Sequence, residues 1–321
     1  MQRHNEPQRI DDGNWYILIA GLPRPDQPIY LASGLSLRPL RSPLSVFDLA
    51  AAGAAGFREW AILEPFAPIC SCEIETAADA ATLPGYDTLN RAWLVSALLV
   101  LRGFSRHLAV ACSSYSWDMV AGHQERTSSV FHQQVSEEGV ESAVYRSKRD
   151  LPPFRGDILD FHRQLLANDK PRQQKLSKED MRWIQRHFDT FNQLANESDS
   201  FRFALEAAVS WRYSKEPRSA VAELWSGIEA IYGINQELVY RISLLSASLL
   251  EPRGESRKRR FLAIKRLYGL RSKVVHGEPL PEERINAAMR DSYNLLRSLL
   301  LLSVERGHAL GSNDFDQAMF E

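Results

Sequence analysis

Residues able to move protons and to hold phosphate recur in one arrangement along this 321-residue chain: an arginine followed, after four to six positions, by a histidine. Arg102/His107, Arg126/His132, Arg155/His162, Arg182/His187 and Arg271/His276 all fit. With 31 arginines and 8 histidines, chance supplies about two such pairs, so spacing alone selects none of them. Arg271/His276 is set apart by its surroundings. From Arg253 to Lys273 there are nine basic residues against one acid, Glu255, a local charge of +8 in a chain of net charge -1. Gly277 and Pro279 follow, which predicts a helix ending at or just after His276. An imidazole accepts and returns a proton near neutral pH, and a guanidinium binds phosphate and stabilises charge building on it. Such a pair suits RNA cleavage in which the 2′-hydroxyl attacks its own phosphate, a reaction that needs no metal ion and no cofactor.

On a helix, five steps of about 100° put Arg271 and His276 roughly 140° apart, so the two do not share a face. Ser272 and Lys273 do share the face of His276 and are candidates to contact phosphate. Two copies packed about a twofold axis would bring two histidines into one cleft. The remaining cations of the run, Arg257, Lys258, Arg259, Arg260, Lys265 and Arg266, are candidates to bind the RNA backbone. Glu229, beside an apolar stripe, is a candidate partner for Arg271 or Arg241. Tyr268 reads either as core or as a stacking platform for a base. Of the other histidines, His107 reads as a strand start, and His162 and His187 as partly exposed helix positions.

The segment Tyr268-Gly-Leu-Arg271-Ser-Lys273-Val-Val-His276-Gly277, with the upstream stretch Leu224-Trp-Ser-Gly-Ile-Glu229-Ala-Ile-Tyr-Gly233, resembles the Apea-like HEPN domains of prokaryotic RNases and abortive-infection proteins. The resemblance covers about residues 179–306 and does not reach the N-terminal half. It implies a helical bundle acting as a metal-independent endoribonuclease that leaves 2′,3′-cyclic phosphate ends. It also implies a homodimer through the bundle and a role as a toxin or antiviral effector, with an antitoxin or a phage-derived trigger as possible partners. Ser272 departs from the family pattern, in which Asn, Asp or His commonly follows the arginine. The alternative reading is a non-catalytic RNA-binding or protein-interaction module.

The elements that must position these residues predict an α+β chain in two parts. Residues 1–150 read as a mixed α/β domain that senses a trigger or restrains activity, 151–178 as a linker, 179–306 as the helical bundle and 307–321 as a C-terminal tail. Strand-like runs are Trp15–Ala20, Ile29–Leu37, Ile69–Ile74 and His107–Cys112. Helical patterns are Ser45–Ala55 and Asp87–Leu101, with one short helix at Ile158–Leu165 in the linker. In the second part, Ser177-Lys178-Glu179-Asp180 reads as a capping box, Asp199 or Ser200 as the next cap, and Pro217 as the first residue of a helix that stops near Gly233. Leu238–Leu250, Arg257–His276 and Glu282–Arg306 complete the bundle.

Apolar residues make up 44% and charged residues 25%, enough for real cores and against wholesale disorder. Apolar runs fall short of the roughly 20 residues a membrane span needs, and the first residues are polar, so the expectation is a cytoplasmic protein with no membrane partner. Cys70, Cys72 and Cys112 are too few for a disulfide framework. Alternation would put Cys70 and Cys72 on one strand face as packing residues. Trp15, Tyr16, Tyr115 and Trp117 read as core more readily than as a ligand site. No phosphate-binding glycine loop, HExxH or GxSxG motif occurs, which leaves the first half without assigned chemistry.

Overall fold

Short apolar runs in the first half build a six-stranded antiparallel sheet with β1 (Trp15–Ala20) near its middle. The computed structural model describes residues 13–45, 63–77, 90–104, 106–121, 156–158, 176–234 and 236–320, with the backbone alone for 90, 91 and 156–158. The other strands are β2 (Ile29–Ala32), β3 (Leu35–Pro39), β4 (Cys70–Thr76), β5 (Leu108–Ser113) and β6 (Gly156–Ile158), in spatial order β2-β3-β4-β1-β5-β6.

The run Ile29–Leu37, read above as one strand, is a hairpin. Gly34 adopts φ +66 in the turn and its carbonyl accepts from the Ala77 N–H at 2.7 Å. A side chain there would be strained, and its Cβ would lie 2.7 Å from that of Ala77. Ile158, read as the start of a helix, ends β6 instead; the rest of that predicted helix, and Ser45–Ala55 beyond its first residue, lie outside the described residues.

A register shift in β4 corrects the reading of the cysteines. Cys72 pairs with Ile19 and Cys70 with Ala20, so Ser71 is an extra residue that moves the two cysteines to opposite faces. Cys70 joins Tyr16, Leu18, Tyr115 and Trp117 in one apolar cluster. All three cysteines are buried thiols outside any disulfide, and burial pushes the Cys70 and Cys72 thiols up to about 12, which suits packing. The Trp117 indole N–H donates to the Tyr16 carbonyl at 2.9 Å, so these aromatics serve the core.

The described residues divide into two compact units: one holds the sheet, and the other holds the chain from Lys178 onward together with Leu94–Arg106. The second unit thus takes most of α1 (Asn90–Leu101), a helix read above with the first domain. It continues with α2 (Lys178–Glu197), α3 (Asp199–Ser210), α4 (Pro217–Tyr232), α5 (Leu238–Leu250), α6 (Glu255–Val275), α7 (Glu282–Arg306) and α8 (Ser312–Phe320). The cap of α3 is Ser198, one residue earlier than expected, its hydroxyl accepting from the Phe201 N–H. Pro217 opens α4 and Gly233 closes it in the left-handed conformation, as read.

Gly227 lets α4 lie against α3 and α7. A Cβ at this position would sit 2.8 Å from the Ala207 Cβ and 3.1 Å from Leu296 Cδ2. Trp225 is fully buried beside it and donates to the Ser292 hydroxyl at 2.8 Å. On α7, the Tyr293 hydroxyl donates to the Val100 carbonyl at 2.7 Å and Arg297 donates to the Leu101 carbonyl, which caps the end of α1. Arg102, just beyond α1, donates to Asp180 of α2 at 2.7 Å and stacks over Trp183. Residues 312–320 of the expected tail are helical, and Phe315 packs on Tyr232. Among the described residues no helix is long and apolar enough to cross a membrane.

Candidate functional site

The long basic helix α6 has two different sides. Ile264, Leu267, Tyr268 and Val274 are buried in the bundle, while Lys258, Arg259, Lys265, Arg266, Lys273 and His276 are exposed. At about 100° per residue these six exposed residues occupy an arc of roughly 120°. The stripe runs about 27 Å from Lys258 to His276 at 1.5 Å per residue. Gly269 lies in the middle of it, with no atom within 4 Å of where its Cβ would stand.

Arg257 and Arg260 face elsewhere. Half-buried Arg257 donates from Nε to the Glu251 carbonyl at 3.0 Å and from Nη1 to the Ala318 carbonyl at 3.2 Å. It therefore links α6 to the end of α8, where Arg253 also donates to the Met319 carbonyl at 2.8 Å. Arg260 is half-buried, and its Nε is shut away from solvent with no hydrogen-bond partner.

At its C-terminus α6 ends as the sequence suggests, with His276 as the cap residue. Gly277 takes φ +75, its N–H donates to the Val274 carbonyl at 3.3 Å, and the Glu278 N–H donates to the Lys273 carbonyl at 3.0 Å. This is the Schellman pattern, which favours glycine at that position. The turn is braced from α4: Arg218 donates from Nη1 to the Val274 carbonyl at 2.8 Å and from Nη2 to the Glu278 carbonyl at 2.9 Å. Arg218 was not singled out from the sequence, because an arginine one residue after the helix-opening Pro217 carries no signal of a partner about 60 positions away. His276 itself is exposed.

Arg271 points inward, away from the stripe. Its Nη2 lies 3.2 Å from Glu229 Oε1 on α4, one of the two partnerships the sequence left open, and its guanidinium stands 5.4 Å from the Tyr268 ring. Its Nε is buried and unpartnered, as is Glu229 Oε1 as a hydrogen-bond acceptor, so the charges meet without an aligned bond. Tyr268 is itself buried, edge-on to Trp225 at 5.0 Å, which makes it core rather than a platform for a base. Ser272 is half-buried and its carbonyl accepts the His276 N–H at 3.0 Å. Lys273 is 55% exposed, and its ammonium lies 3.8 Å from Glu278.

Of the other arginine–histidine pairs, Arg126/His132 and Arg155/His162 lie outside the described residues. Arg102 is held by Asp180, His107 is buried immediately before β5, and His187 lies over Trp183 with Nδ1 2.8 Å from that residue's carbonyl. The sheet unit carries a polar cluster that sequence reading missed. Glu73 is 1% exposed and accepts from the Ser116 hydroxyl and the Trp117 N–H, both at 2.7 Å, with Arg38 at 3.9 Å. Burial pushes the Glu73 carboxyl up to about 7 against the lowering effect of those bonds. Its neighbour on the same face, Glu75, accepts from Tyr16, Ser36 and Arg38. The alternation of Glu73 and Glu75 within an apolar strand was the available signal.

The site that gathers the most chemistry of the expected kind is therefore the outer face of α6 and its C-terminal turn. Compared with the models of known protein families, with curated proteins and with solved structures, this chain matches none.

Proposed function

We propose that the helical unit is a metal-independent endoribonuclease of the HEPN kind, in which the exposed face of α6 binds RNA and His276 transfers the proton of the attacking 2′-hydroxyl. The observation that carries this reading is the cationic stripe from Lys258 to Lys273, interrupted by Leu262 and Gly269, which leads to a histidine on a turn braced by Arg218. Polyanion binding supplies affinity along the stripe, and the histidine supplies proton transfer at its end. The HEPN assignment rests on the motif residues quoted above and brings with it a homodimer through the bundle. It also brings a cytoplasmic toxin or antiviral role, with the sheet unit sensing a trigger or restraining activity.

The test is incubation of a mixed RNA pool with the purified chain and its His276→Ala variant in EDTA, followed by analysis of product ends. The expected result is cleavage to 2′,3′-cyclic phosphate ends by the unaltered protein alone. Equal cleavage by both proteins would overturn the assignment of His276. A second reading, a non-catalytic RNA-binding or protein-interaction module, is favoured by one observation: Arg271, the motif arginine, is turned from the His276 face and paired with Glu229. It predicts salt-sensitive RNA binding that is unchanged in His276→Ala and weakened in Arg259→Glu.

A further inference from the structure

We infer that the cation holding the phosphate beside His276 is Lys273, and that Arg271 is a positioning residue that braces α6 against α4. The inference rests on the proposed RNA cleavage and concerns which side chain meets the reacting phosphate. His276 and Lys273 are three residues apart and lie about 60° from each other around the axis, whereas Arg271 lies roughly 140° from His276. A phosphate approaching the imidazole from solvent meets the Lys273 ammonium on the same side.

The accessibility of the two cations differs in the same sense. Lys273 is 55% exposed, and Glu278, its neighbour at 3.8 Å, is 53% exposed, so this is a surface pair that an incoming phosphate displaces easily. Arg271 is 22% exposed, with its charge against Glu229, its plane near Tyr268 and its Nε buried. Turning it out to a substrate would strip Glu229 of its counter-charge and open the contact between α4 and α6. The guanidinium that braces this turn, Arg218, is engaged with the carbonyls of Val274 and Glu278. Arg266, two helical turns before Lys273 on the same stripe, is placed for a neighbouring phosphate about 10 Å away.

The step that follows is balanced without a co-reactant. The 2′-hydroxyl gives its proton to His276 as the 2′-O–P bond forms. The P–O5′ bond breaks, and the leaving 5′-oxygen takes a proton from solvent. Lys273, as a compact point charge, stabilises the non-bridging oxygens as the phosphorus becomes five-coordinate.

The test uses the full chain as Lys273→Ala, Lys273→Arg, His276→Ala and the paired change Glu229→Gln with Arg271→Met, which removes both half-buried charges together. Cleavage is read on single-stranded RNA, and binding on the same sequence fully 2′-O-methylated, which cannot be cut. Lys273→Ala should lower the cleavage rate about 100-fold or more, with an unchanged melting temperature and partial rescue in Lys273→Arg. It should also reduce the slope of log binding constant against log salt by about 0.7. The paired Glu229/Arg271 variant should keep most of its cleavage below its own melting temperature. Normal cleavage by Lys273→Ala beside an inactive His276→Ala would overturn the inference while leaving the ribonuclease reading intact, as would a paired variant that is folded and binds but does not cut. If the unaltered protein does not cleave, that reading fails, and the salt slope of Lys273→Ala decides alone whether Lys273 holds phosphate.

Discussion

Gly269 occupies a helix-interior position where glycine destabilises by about 1 kcal/mol relative to alanine, and the bundle does not require it. Its position is exposed and nothing lies within 4 Å of its would-be Cβ, in contrast to Gly227, where neighbouring side chains leave no room. Gly269→Ala should therefore stabilise the helical unit by about 1 kcal/mol, measured by denaturant unfolding. If a nucleic-acid backbone comes close to the helix between Arg266 and Lys273, the same variant should bind single-stranded RNA more weakly despite being more stable. A variant that is no more stable would show that the position carries helix strain not visible in its contacts. Helix periodicity placed Arg271 about 140° from His276, whereas the sequence left the partner of Glu229 open between Arg271 and Arg241 and the packing of α4 on α6 decides it. What the sequence could not reveal was the burial of Nε, which depends on how closely α4 approaches.

At the scale of elements, β4 shows why some features were legible and others were not. Its apolar alternation identifies the strand, and Trp15–Ala20, Leu238–Leu250 and Glu282–Arg306 were likewise read with the observed boundaries. The extra residue at Ser71 was hidden, since a bulge is set by the register of the partner strand and has no period of its own. The helix at Ser312–Phe320 was hidden for another reason: with nine residues it has too few turns to show a stripe, and it is held in place by Arg253, Arg257 and the buried Asp314. Beyond the bulge, β4 carries Glu73, whose surroundings give a pH prediction. Arg38 and Asp118 are the charged groups acting on it, with Ser116 and the Trp117 N–H as hydrogen-bond donors. Its carboxyl sits near 7 in the folded protein against 4.5 ordinarily, because burial disfavours the ion. The folded state thus holds this proton more tightly than the unfolded state does. The contribution to stability is full below about 4.5 and is lost as the pH rises through about 7. At 1.36 kcal/mol per pH unit the loss is on the order of 3 kcal/mol. Denaturation of the full chain followed by its near-ultraviolet circular dichroism should show the decline between about pH 4.5 and 7. Glu73→Gln, which has the shape of the protonated carboxyl and keeps an acceptor for the Trp117 N–H while its amide N–H₂ faces the Ser116 hydroxyl, should flatten it; an unchanged profile would assign the dependence to another group.

Across the whole molecule, a chain of net charge -1 has no overall attraction for a polyanion, so nucleic-acid binding must come from local charge. The sequence located that charge, the +8 run, but treated its cations as equivalent. The fold separates them, since a helix packed on one side commits some of its residues to the bundle. Arg257 is tied to two backbone carbonyls and Arg260 is half-buried, whereas Lys258, Arg259, Lys265, Arg266 and Lys273 remain exposed. If each exposed cation holds one phosphate of a single strand, log binding constant should fall with log salt at a slope of about -3.5, or 0.7 per phosphate. Lys265→Glu with Arg266→Glu should weaken binding at low salt and make the slope shallower. Arg257→Ala should leave the slope unchanged and instead lower the melting temperature, because it releases the end of α8. Titration of a non-cleavable 2′-O-methyl strand over a range of potassium chloride separates these outcomes. A slope that drops equally for Arg257→Ala would mean that α8 leaves its seat when RNA binds. No measurable binding at low salt would reduce the stripe to a solvated helix face and remove the electrostatic basis for the proposed function.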